Sequence, residues 1–90
     1  MTPASIIRSL LEASARGELA GNEERWFSRG IIQVEWPNRL DPNGSTRDFE
    51  ELQAFNRRLE QDCVRRHFEL ASLLAADEQV AAEMTFQLTF

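Results

Sequence analysis

Phe27-Ser28-Arg29-Gly30-Ile31-Ile32-Gln33-Val34-Glu35-Trp36-Pro37-Asn38-Arg39-Leu40-Asp41-Pro42 is the stretch that decides how this chain is built. Ile31, Ile32, Val34 and Trp36 are β-branched or aromatic, which suits a pleated and half-buried surface, so a strand is expected over 31–36. Pro37 has no N–H to give to a ladder and ends that strand. Gly30 resets the backbone before it. The stretch converts a helical N-terminal third into sheet, and the rest of the chain returns to it.

Upstream, Thr2 followed by Pro3 is a helix start, a hydroxyl N-cap and then proline at the first helical position. Ile6, Ile7, Leu10, Leu11 and Ser14 follow at helical spacing, and Gly17 is placed to cap the end. A short second helix is expected from Asn22 to Ser28. Glu23 and Glu24 would sit at the positive end of its dipole, with Trp26 and Phe27 facing inward. Helix therefore accounts for most of 3–28.

Downstream, Asp41-Pro42-Asn43-Gly44 is a turn signal inside the loop that runs to Ser45. Ser45, Thr46 or Asp48 then caps a helix expected over 46–62, and Glu51 completes a capping box if Asp48 is the cap. Phe49, Leu52, Phe55, Asn56, Leu59 and Cys63 form its inner face. A strand is expected over Val64–Leu74, a turn over Ala75–Gln79, and a second strand from Val80 to Phe90. In that last run Val80, Ala82, Met84, Phe86, Leu88 and Phe90 alternate with Ala81, Glu83, Thr85, Gln87 and Thr89, a period of two with one apolar face. The expected whole is one α+β domain over 1–90 with a hairpin at 64–90.

Composition narrows the function classes. A net charge of -5 argues against nucleic acid and against an anionic membrane surface, since both call for a basic face. No apolar run approaches the ~18 residues of a membrane span. The single cysteine, Cys63, has no internal partner, which fits a reducing, cytoplasmic setting. Met1–Arg8 lacks a basic start followed by an apolar run, so no signal peptide is expected. There is no phosphate-binding glycine loop, no nucleophile elbow and no cysteine pair for zinc, so no metal or cofactor is expected.

Several local stretches, taken in order, resemble the nuclear transport factor 2-like superfamily. Ala15-Arg16-Gly17-Glu18 resembles its turn after the first helix. Trp26-Phe27 resembles its bulky pair before the first strand, and Val34-Glu35-Trp36-Pro37 its strand-ending motif. Gly44 to Phe55 resembles its glycine-led third helix, Ala75 to Ala81 its hairpin turn, and Met84-Thr85-Phe86 its next strand. The SnoaL-like, ketosteroid isomerase-like branch is the most similar. The resemblance implies a cone-shaped curved antiparallel sheet packed on about three helices, an apolar pocket at the open end and a homodimer through the sheet. It also implies further strands beyond Phe90, so the chain is expected to be short at its C-terminus.

Isomerases of that branch place an aspartate base directly before the proline of the strand motif and a tyrosine donor on the first helix. Here the matching positions are Trp36 and Leu10, and the chain has no tyrosine. Enolisation needs a base and an oxyanion donor, so isomerase chemistry is not expected at those positions. Leu10, Trp26, Trp36, Phe55 and Phe86 are the expected wall of a pocket for a small hydrophobic molecule. Aromatics at such spacing are more often plain core, and in this fold the two roles overlap. The other candidates are Glu35, a carboxylate beside the pocket motif, and His67, the lone histidine. If Trp36 faces inward, alternation turns Glu35 to solvent. His67 shares a strand face with Glu69 and is expected to pair with it at the surface. An isomerase, cyclase or hydrolase acting on a hydrophobic ring, and a non-catalytic dimerising module, are the alternatives to simple binding.

Overall fold

The computed structural model describes residues 2–90 as an α+β chain. In order it holds α1 (Pro3–Arg16), a 3-10 turn (Glu23–Arg25), β1 (Gln33–Glu35), β2 (Ser45–Arg47), α2 (Phe49–Asp62), β3 (Arg65–Ala76) and β4 (Gln79–Thr89). The strands form two separate antiparallel pairs, β1 with β2 and β3 with β4.

Local chemistry sets the helix ends. Thr2 Oγ1 accepts a 3.1 Å hydrogen bond from the Ser5 N–H, with Pro3 in the first turn. At the far end Gly17 takes φ 72° and returns its N–H to the Ala13 and Ser14 carbonyls. That left-handed conformation suits glycine, which has no Cβ to clash. In α2 the Glu51 N–H donates to Asp48 Oδ1 at 2.9 Å, and Glu51 accepts the Asp48 N–H at 3.2 Å. Asp48 is the cap, so Ser45–Arg47, which could have opened the helix, is free to pair with β1.

The loop joining β1 to β2 is organised by Asn38. Its amide donates to Glu35 Oε2 at 2.8 Å and to the Trp36 carbonyl at 2.9 Å. Its Oδ1 accepts the Leu40 and Asp41 N–H groups at 2.9 and 3.0 Å. Gly44 closes the loop at φ 70°, where a Cβ would come within 2.6 Å of the Glu35 carbonyl oxygen.

The expected helix over Asn22–Ser28 is a three-residue turn instead. The Glu23 carboxylate does not face solvent at a helix start. It turns inward, is 1% exposed, and accepts the Gly21 N–H at 2.9 Å and Asn56 Nδ2 at 3.2 Å. That tether fixes the segment against α2 before a second helical turn can form.

The hairpin is longer than its first strand's pattern suggests. Arg66 lies opposite Leu88, Phe68 opposite Phe86, and Leu70 opposite Met84. A bulge between Leu70 and Ser72 inserts Ala71 and breaks the alternation that the sequence would otherwise show. Asp77, at φ 55°, makes the two-residue turn, a conformation that Asp tolerates better than most residues. The fully enclosed side chains are few: Ala13, Phe49 and Leu52, with Glu23 and Asn56 among them.

Candidate functional site

A cleft of about 260 Å³ opens between α1, α2 and the β3–β4 hairpin. Its apolar wall comes from three directions. Leu10 and Leu11 project from α1, Leu52 and Leu59 from α2, and Phe68, Met84 and Phe86 from the hairpin. Helical spacing puts Leu10, Leu11 and Ser14 on one stripe, and period two puts Met84, Phe86 and Leu88 on one strand face. The Phe68 and Phe86 rings stack across the ladder, with centroids 5.8 Å apart. Phe86 remains 55% exposed, and among the described residues none covers the outer lip of the cleft.

Polar groups enter this wall at a few points. Asn56 lies at its base, held by Glu23. Glu60 and Arg66 meet at one side, with Arg66 Nη1 4.0 Å from Glu60 Oε1. Cys63 lines the same side and donates its thiol to the Arg65 carbonyl at 2.9 Å.

The residues expected to form the pocket divide. Leu10 and Phe86 line the cleft. Trp26, Trp36 and Phe55 do not. Trp26 is half-buried behind α1, with its indole N–H donating to Ser9 Oγ at 3.1 Å. Phe55 lies on the other flank of α2, under the Arg47 guanidinium, whose carbon is 3.8 Å from the ring centroid. Trp36 is 80% exposed.

The displacement of Trp36 has a clear cause. β1 presents the opposite face to the one expected. Ile32, Val34 and Trp36 point outward, at 62%, 57% and 80% exposure. Gln33 and Glu35 point back toward the protein, where each accepts a 3.0 Å hydrogen bond from Arg47 Nη1. Arg47 itself is only 12% exposed and needs those acceptors once it is stacked on Phe55. A strand has only two faces, so satisfying Arg47 sends the apolar row to solvent.

The two acid–base candidates lie apart from the cleft. Glu35 is bound to Arg47 and Asn38 in the β1–β2 hairpin. His67 lies on the outer face of β3, with Nε2 3.8 Å from Glu69 Oε1. Among the described residues no group of three His, Cys, Asp or Glu side chains could hold a metal ion. None of their helices is long and apolar enough to cross a membrane. The feature that sequence reasoning missed is Glu23. The available signal was Asn56 on an otherwise apolar helix face, which demands a buried polar partner. No family model matches the sequence, and neither a curated protein nor a solved structure matches the chain.

Proposed function

We propose that the chain is a small-molecule-binding domain of the SnoaL-like, nuclear transport factor 2-like kind, taking a small hydrophobic molecule in the cleft between its helices and its long hairpin. The observation that carries this reading is a cleft whose walls are apolar on three sides in a chain with few fully enclosed side chains. Concave apolar surface with a few convergent polar groups is the usual form of a ligand site. The α+β content and the order helix, short hairpin, helix, long hairpin support this reading. Binding rather than catalysis is favoured because Leu10, the position that the resemblance matches to the branch's tyrosine donor, is an apolar residue of the cleft wall, and Glu35 and His67 lie elsewhere. Titration with 1-octanol, followed by NMR, is expected to shift the methyl resonances of Leu11, Leu59 and Met84 saturably. Shifts that are absent, or confined to Ile32, Val34 and Leu40, overturn the reading.

The outward row Ile32, Val34 and Trp36 favours a second reading, a module that pairs with a second copy through β1. Three large apolar side chains on one strand face are an unusual display for a monomer surface, and a tryptophan at the centre of an interface carries much of its energy. Sedimentation equilibrium is expected to show a dimer that Trp36→Ser weakens at least about ten-fold, or about 1.4 kcal/mol. A monomer at every concentration removes this reading and leaves the first intact.

A further inference from the structure

The cleft is not uniformly apolar, and Arg66, the cation among its described lining residues, is held in an unusual way. Arg66 stands on the hairpin face that also carries Phe68 and, across the ladder, Leu88 and Phe86. Its side chain is 21% exposed, yet among the described residues it donates no side-chain hydrogen bond. Its nearest acid, Glu60, is 4.0 Å away, too far for one. Glu60 Oε1 is itself engaged, accepting the Leu19 and Ala20 N–H groups at 3.1 Å each. The guanidinium rests instead over the C-terminal end of α1, where a Cβ on Gly17 would lie 2.9 Å from Arg66 Nη1. A cation is favoured there by the helix dipole, and the missing Cβ makes the seat. Arg66 is thus placed without its planar fork of donors being used.

We infer that Arg66 is the anchor for a carboxylate, and that the ligand of the cleft is a short amphiphilic acid with its apolar part along Phe68 and Phe86; this rests on the cleft being a ligand site. A carboxylate matches the guanidinium fork with two parallel charge-assisted bonds, which a neutral head group does not. The stacked Phe68 and Phe86 rings, with Met84 beside them, give a short apolar tail a wall to lie along.

Octanoate and 1-octanol share a tail and differ in charge, so the pair separates the anchor from the cleft. NMR titration of the intact chain at pH 8 is expected to give octanoate at least about ten-fold tighter binding than 1-octanol. Arg66→Gln is expected to erase that preference, so that the two probes bind the variant with affinities within about two-fold of each other. If 1-octanol shifts no cleft methyl group, the cleft reading fails and the anchor fails with it. If both probes bind the wild-type protein equally, the anchor fails alone, and this comparison needs no variant. An octanoate preference that survives Arg66→Gln in a folded variant also overturns it. Arg66→Lys keeps the charge and loses the fork, so it is expected to retain only part of the preference.

Discussion

Leu52→Ala is expected to lower the unfolding free energy by about 3 kcal/mol, measured by urea titration against the wild-type protein. Leu52 is 2% exposed and lies on α2 between the buried Phe49 and Asn56. Truncation removes the transfer energy of its side chain and leaves a void, and both terms are large where the surroundings are held. They are held here: α2 is capped at Asp48, and Asn56 is fixed by Glu23. The same void would merge with the cleft, which Leu52 helps to line. In a chain of this length a loss of 3 kcal/mol lowers the melting temperature by about 12–24 °C. Leu74→Ala is the internal control. Leu74 is 71% exposed on the hairpin, and its truncation is expected to cost less than about 0.5 kcal/mol. Equal losses for the two leucines would mean that α2 does not carry the core.

The difference between those two leucines is partly written in the sequence. Helix ends are legible because caps act over three or four residues. Thr2, Gly17 and the Asp48–Glu51 pair each specify an end with no help from distant parts of the chain. The β4 strand is legible because alternation is a property of the strand alone. The facing of β1 is not. It depends on Arg47 settling over Phe55 and needing Glu35 and Gln33 as acceptors, which is a contact between three elements. A strand that looks apolar from Ile31 to Trp36 therefore turned its polar residues inward. The bulge at Ala71 was hidden for a similar reason, since a single inserted residue shows only once the partner strand is known. Of the expected pocket wall, Leu10 and Phe86 lie on elements whose periodicity is clean, and both line the cleft. Trp26, Trp36 and Phe55 lie on or beside segments whose orientation is set by long-range hydrogen bonds and stacking. The polar members of the site, Glu60 and Arg66, stand in the sequence among many charged residues with no local pattern that singles them out. Only tertiary packing sets them beside Phe68 and Leu59.

Glu23→Ala is expected to cost about 3 kcal/mol, as much as deleting a core leucine, although it removes an acid from a protein that already carries net charge -5. On a solvated surface, losing one negative charge from such a chain would be neutral or mildly favourable. Glu23 is not on such a surface. It is 1% exposed, with one carboxylate oxygen on the Gly21 N–H and the other on the Asn56 side chain. Alanine would leave the buried Asn56 amide without its acceptor and the Gly21 N–H without its carboxylate, and the turn would lose its tie to α2. A double-mutant cycle separates these effects. Asn56→Ala alone is expected to be costly as well. The pair together should cost at least about 1 kcal/mol less than the sum, because once one partner is gone the other no longer has a bond to lose. Glu23→Gln keeps the shape and one acceptor oxygen, so it is expected to fall between wild type and alanine. If Glu23→Ala is as stable as the wild-type protein, or if the two substitutions simply add, the Glu23–Asn56 bond does not hold the turn against α2. The α1–α2 side of the cleft would then lack the fixed floor that its shape depends on.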